Sequence, residues 1–161
     1  MIREIVKFIE EKLQGMGFAY ISVDCGQADL AQPAIKYPAA LIDVEGIDVD
    51  NALGGRSLQQ TMRVNVRIIE MVLANVSSKA PEPQKEAWYS FVDILETALA
   101  ELHQQARFVP MAYTGMEIKQ RDDGLREGVL HFSASMGTLA VDDSLQVVVA
   151  EEIKKGKKAS A

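Results

Sequence analysis

A chain of 161 residues, 48% of them hydrophobic, is long enough for one domain with a real core and short for two. A net charge of -6 and a pI near 5.0 exclude a general nucleic-acid binder, which draws its affinity from clustered Lys and Arg. One cysteine, Cys25, excludes an intramolecular disulfide and a thiolate-rich metal site, and fits a reducing compartment.

In chain order, Ile2, Ile5, Val6, Ile9 and Leu13 fall at helical spacing, with Glu4, Lys7, Glu10, Glu11 and Lys12 on the remaining surface. This predicts an amphipathic first helix, ended by Gly15 and Gly17. Charge runs throughout that segment, where a secretory signal has an uninterrupted apolar stretch, and no apolar run approaches the ~18 residues that span a bilayer. The expectation is a soluble protein, cytoplasmic when made. FAYISVD at 18–24 is rich in strand formers, and 25–37 reads as a loop with a short helical turn. After Pro38, Ala40, Ile42 and Val44 oppose Leu41, Asp43 and Glu45 in a second strand. GIDVDNALGGRS at 46–57 reads as a glycine-containing connection of about a dozen residues.

LQQTMRVNVRIIEMV at 58–72 is the clearest strand. Met62, Val64, Val66 and Ile68 alternate with Thr61, Arg63, Asn65 and Arg67, so one face closes on a core while the other carries two cations and an amide. Pro81 and Pro83 then introduce a helix over about 84–105. Trp88, Phe91, Val92, Leu95, Leu99 and Leu102 set its apolar stripe, and Ala87, Ile94 and Ala98 widen it. Core packing on the sheet explains that width, with contact to the first helix or a neighbouring subunit as a further use. Met116, Ile118 and Gln120 alternate with Glu117, Lys119 and Arg121, and Asp122, Asp123 and Gly124 turn the chain into a last long arm over 125–138. LQVVVA at 145–150 has the composition of a further short strand without an evident partner, and Lys154, Lys155, Lys157 and Lys158 follow it. The fold class is therefore α+β, with a mixed or antiparallel sheet of about five strands and two main helices on one face. Residues 1–140 form the single domain, and 141–161 a C-terminal extension, a short strand or arm followed by a basic disordered tail.

Chemistry is sparse. His103 and His131 lie on separate elements and lack the HxH or HxxxH neighbour of a metal site. Cys25 becomes a nucleophile only if a histidine is brought close in space. Gly54, Gly55, Arg56 and Ser57 precede a strand and lack the lysine of a phosphate loop. The acidic pairs Asp122 with Asp123 and Asp142 with Asp143 sit in turn-like sequence without the ligand ladder of a calcium loop. No catalytic, cofactor or metal site follows, and the expectation is a protein that is not an enzyme. Arg63, Asn65 and Arg67 are the most suggestive polar set, because period two aligns them in one row. That row is expected to be covered by a neighbouring subunit, to lie near a ligand, or to be bare.

The N-terminal helix, the proline-led strand PAALIDVE, the strand TMRVNVRIIE, the helix KEAWYSFVDILETALAEL and the pair GMEIKQR and GVLHFSASM carry a resemblance. Over about residues 1–140 the chain resembles the tail terminator, or minor tail and tail-completion, proteins of long-tailed bacteriophages and prophages. What the resemblance implies is structural work without catalysis or cofactors. Copies would assemble into a ring, a hexamer in that family, that caps the tail tube and offers a surface to head-completion proteins, first in the host cytoplasm and then in the virion tail. It implies no membrane and no specific nucleic acid, and it transfers no individual functional residue. In a closed ring the contacts are heterologous, so Arg63, Asn65 and Arg67, with Arg56 ahead of them, become candidate interface residues facing a carboxylate-bearing neighbour. The alternative is a small ligand- or peptide-binding accessory domain that uses the sheet face, and an enzyme built on Cys25 or a histidine ranks last.

Overall fold

The alternation over 58–72 is realised as a long strand, Ser57–Met71, at the centre of a five-stranded mixed sheet. The structure is a computed structural model and describes residues 2–30, 34–50, 57–72, 81–103, 111–121 and 123–140. Along the chain these form α1 (Ile2–Gln14), β1 (Tyr20–Val23), a short 3-10 turn (Gln27–Asp29), β2 (Ala39–Asp50), β3 (Ser57–Met71), α2 (Pro81–Leu102), β4 (Met111–Gln120) and β5 (Leu125–Ala140). The strand order is β1-β2-β3-β5-β4, with β1 parallel to β2 and the other neighbours antiparallel. Class, strand number and helix number agree with the sequence reading, and the parallel edge makes the sheet mixed. The last short strand expected at 145–150, and the rest of 141–161, lie outside the described residues, as does Arg56.

Both helices cover one face. Ile5, Ile9 and Leu13 of α1 and Phe91, Leu95, Ala98 and Leu102 of α2 close over Ala40, Ile42, Met62, Val64, Val66, Ile68, Leu130, Phe132 and Ala134. These strand residues are the even-numbered set that alternation assigns to one side. Gly17, at φ +82°, carries the chain away from α1 in the left-handed region open to glycine. Gly128 has a different role: a Cβ there would stand 2.5 Å from Leu95 Cδ2, so the missing side chain is what lets α2 sit down on β5.

Several boundaries differ from the sequence reading, for local reasons. Half of the connection expected at 46–57 is strand: β2 continues to Asp50 and β3 includes Ser57, while 51–56 lie outside the described residues. The register of β2 on β3 shifts between Val44 and Gly46, and that bulge interrupts the alternation that would have marked the extension. On β4 the strand begins at Met111 rather than near Met116, because a second shift between Tyr113 and Gly115 breaks its period. Helix α2 begins at Pro81 and closes at Leu102, with the His103 amide still donating to the Leu99 carbonyl at 2.8 Å. Its stripe is narrower than its sequence: Trp88 is 43% exposed and Phe91 is the first fully buried side chain of the helix.

Candidate functional site

The row Arg63, Asn65 and Arg67 lies on the sheet face opposite the helices, as period two requires, but its members do not share one environment. The chain between β1 and β2 crosses this face at one end. There Ala28 of the 3-10 turn packs on Leu41, Ile69 and Leu125, with Tyr20, Ile35 and Tyr37 around them. The turn is set locally: the Asp24 carboxylate accepts from the Gly26 amide at 2.8 Å, Gln27 Oε1 accepts from the Cys25 amide at 2.6 Å, and Gly26 takes φ +79°. The Tyr37–Pro38 peptide bond that leads into β2 is cis.

Under that crossing segment sits an ionic cluster. Arg67 donates from Nε and Nη2 to Glu127 at 3.1 and 3.0 Å, from Nη1 and Nη2 to Asp29 at 3.2 Å each, and from Nη1 to Asp24. Every nitrogen of the guanidinium is thus used within the chain. Burial alone would lower the Arg67 pKa, but the hydrogen bonds to Glu127, Asp29 and Asp24 outweigh it and the net shift is upward. Arg121, just past β4, completes the cluster. It bonds Asp123 at 2.8 Å, Asp29 at 2.7 Å and the Ala28 carbonyl at 3.1 Å, so it holds both the hairpin turn and the crossing segment. The hydrogen bond from Arg67 holds the Asp29 carboxyl below its ordinary range, helped by Arg121 against the opposing effect of burial. Burial raises the Tyr37 hydroxyl pKa, and that oxygen has no hydrogen-bond partner among the described residues.

Beyond the crossing segment the same face is open. Asn65 donates to Asp43 at 3.4 Å and Glu45 at 3.3 Å and accepts from His131 Nδ1 at 2.7 Å, which leaves His131 Nε2 facing Glu117 at 3.9 Å. Arg63 is exposed, with its Nη2 over Gly46. The further interface candidate, Arg56, is outside the described set. Cys25 is exposed, while the ring nitrogens of His131 face Asn65 and Glu117. No group of three or more His, Cys, Asp or Glu is arranged to hold a metal among the described residues. The carboxylates of the cluster are instead occupied by guanidinium groups.

A feature that sequence reasoning missed is the outer rim on the helix side. Register places Tyr113 beside Phe132, Met116 beside Leu130 and Ile118 beside Gly128, all toward the helices, yet α2 does not reach over them and they are 39%, 37% and 37% exposed. Tyr113 lines an open groove of ≈ 360 Å³ with Glu96, Leu99, Ala100 and His103. Trp88 and Tyr89 stand exposed on the first turns of α2, edge to face at 5.6 Å, with Lys85 over the Tyr89 ring. Met116 and Ile118 alternate on β4, the first strand after α2, and the strand order puts β4 at the edge, where a strand has one neighbour fewer to cover it.

No known sequence family matches the chain, and no curated protein does. In fold it is similar to a chain in the virion of a native gene transfer agent particle, with 12% identity, a TM-score of 0.42, and coverage of 79% of this chain and 90% of that one. A likeness at that level says nothing about function, which has to come from this chain's own surfaces. No helix among the described residues is long and apolar enough to cross a membrane.

Proposed function

We propose that the protein is a non-catalytic structural subunit of a phage-like particle, a tail-terminator type of protein that assembles with copies of itself. The observation that carries this reading is the apolar rim: Tyr113, Met116 and Ile118 on an edge strand, beside a helix that exposes Trp88 and Tyr89. Exposed large aromatic and Met side chains are the composition of an interface core. A closed ring of identical subunits needs two different complementary patches. The rim supplies an apolar one, and the open polar half of the opposite sheet face, with Arg63 and Asn65, supplies a second. The finer assignment is what the resemblance to tail terminators implies: a hexameric ring, a seat on a tail tube, and contact with head-completion proteins. It places the protein in the host cytoplasm during assembly and in the virion tail afterwards.

What weighs against a sheet-face ligand is the saturation of Arg67, whose nitrogens are all satisfied inside the chain. The test is mass measurement in solution with electron microscopy, alone and with tail tubes, on the native chain and on Met116→Glu combined with Ile118→Glu. Rings or tube-end caps are expected for the native chain and separate subunits for the variant, with unchanged circular dichroism. Assembly by the variant at the native level, or no assembly by the native chain in either condition, overturns the reading.

A further inference from the structure

β4 ends the sheet: among the described residues it has β5 on one side and no strand on the other. Its side chains are open on both faces. Met116 and Ile118 are exposed toward the helices, while Glu117 and Lys119, 52% and 60% exposed, lie on the opposite face and pair with each other at 2.6 Å. The direction of the backbone groups follows from the hairpin. The Arg121 amide donates to the Leu125 carbonyl at 2.9 Å, so Arg121, Lys119 and Glu117 turn their N–H and C=O groups toward β5, and Gln120, Ile118 and Met116, between them, turn theirs outward. The register shift between Tyr113 and Gly115 limits the regular stretch at its other end, which leaves Met116 to Gln120 as an edge centred on Ile118.

We propose that the free protein pairs edge to edge with a second copy of itself, β4 antiparallel to β4, about a two-fold axis at Ile118. Charge selects both the partner and the register. With the axis at Ile118, Glu117 of each copy stands opposite Lys119 of the other, in the non-hydrogen-bonded pairs where side chains approach most closely. An axis one residue to either side sets Glu117 against Glu117 or Lys119 against Lys119. An axis at Gln120 sets Lys119 against Arg121, and one at Met116 runs Lys119 into the shifted segment. An axis between two residues opposes outward-facing backbone groups to inward-facing ones and forms no ladder. A lysine on an edge strand repels most other strands, and Glu117 lifts that repulsion in one alignment with the chain's own copy. In that alignment Ile118 meets Ile118, Met116 meets Gln120, and two five-stranded sheets join with the helices of both copies on the same face. The contact is isologous and goes beyond the assembly reading. It covers the flank that a ring would use, so a paired copy has to separate before that flank serves a heterologous contact.

Sedimentation equilibrium of the full chain at low ionic strength, without tail tubes, tests the contact. The native chain is expected to dimerise with a Kd below about 100 µM, the strength of a small transient interface. Glu117→Lys and Lys119→Glu each turn two opposite-charge pairs into like-charge pairs, and each is expected to weaken dimerisation at least about tenfold with native circular dichroism. Glu117→Lys combined with Lys119→Glu in one chain restores the pattern. An equimolar mixture of the two single variants restores it as well, since each edge then carries one sign and meets the other. Recovery to within about threefold of the native Kd, in the double variant or in the mixture, is expected. Either single variant dimerising within about threefold of native overturns the proposal, and so does failure of both the double variant and the mixture to recover. A native chain that stays monomeric above about 100 µM also overturns it and leaves the edge bare or to a different partner. The readout is the soluble chain alone, so a failure here leaves assembly on tail tubes to its own test, and a failure there leaves this contact standing.

Discussion

Met62, Val64, Val66 and Ile68 of β3 look into a dry core beneath two helices, whereas Arg67, set between two of them in sequence, looks into a cluster of charges held down by the chain between β1 and β2. The same strands build both interiors. On the helix side, burial is non-directional, so any apolar set with the right period and volume is served by amphipathic helices. On the other side each charged group needs a partner at a defined place, and the chain supplies Asp24, Asp29, Glu127 and Asp123 from separate turns and strands. The apolar side is robust to detail. The ionic side fixes where one crossing segment lies.

The comparison can be broken first at the helix side. Phe91→Ala removes a fully buried ring that also stacks under Arg126 at 5.6 Å, and is expected to cost about 3 to 5 kcal/mol in urea denaturation, more than any single truncation on the ionic side. On the ionic side Arg67→Met leaves the Asp24 carboxylate, with its side chain 9% exposed, without its cation, and leaves Glu127, 10% exposed, with only the longer Arg121 contact at 3.4 Å. A loss of about 2 to 3 kcal/mol is expected, with faster exchange of the 24–30 amides while the helix-side core stays protected. Arg67→Lys keeps the charge but not the planar fork, and should recover less than half of that loss.

These two sides were not equally legible. The apolar face could be read directly, because alternation in β3 and β5 and the stripes of α1 and α2 are local properties of the sequence. Element ends were hidden wherever a bulge broke the period, at Gly46 on β2 and Gly115 on β4. The ionic cluster was out of reach for a different reason. Arg67 meets residues 43, 38 and 60 positions away in the chain, and nothing in the local pattern of any of them marks the meeting. Reading Arg63, Asn65 and Arg67 as one row was right about direction, but it had no means of seeing that the chain itself covers one end of the row. The exposed rim was missed because apolar residues at strand period are read as core, and only strand order shows which strand lies at the edge.

Acid separates the two sides by sign. Asp29, with its pKa lowered by Arg67, contributes stability that is present above its unfolded value of 3.8 and lost as pH falls through the lower folded value. Glu70, on the helix side beside Arg126, has its pKa raised by burial against the opposing pull of Arg126. Its contribution is favourable below the unfolded value of 4.5 and is lost as pH rises through the higher folded value. In denaturation series across this range, Asp29→Asn should flatten the fall of stability on the acid side. Glu70→Gln should steepen the native decline from about pH 5 to about pH 4 by removing a contribution that grows as protons bind. A change of the same sign in both variants would mean that the two carboxylates do not differ as their surroundings require.

The smallest effect gives the sharpest contrast. Arg63 and Arg67 are the same residue type on the same face of the same strand, Arg67 under the crossing segment and Arg63 exposed beyond it. Arg63→Ala is therefore expected to change stability by no more than about 1 kcal/mol, against the larger loss at Arg67, because the interactions of an exposed cation are weakened by solvent and screened by salt. That near-neutrality makes Arg63 the useful probe of assembly. Arg63→Glu is expected to keep the native circular dichroism, and where it does, a loss of rings or tube-end caps on that change reports a contact between subunits and not a failure to fold. If assembly proceeds unaltered with the charge reversed, the polar half of the sheet face is not an interface. The second patch that a closed ring requires would then have to be sought elsewhere, with the groove between α1 and α2, lined by Lys12, Asp93, Ile94 and Glu101, as the next place to substitute.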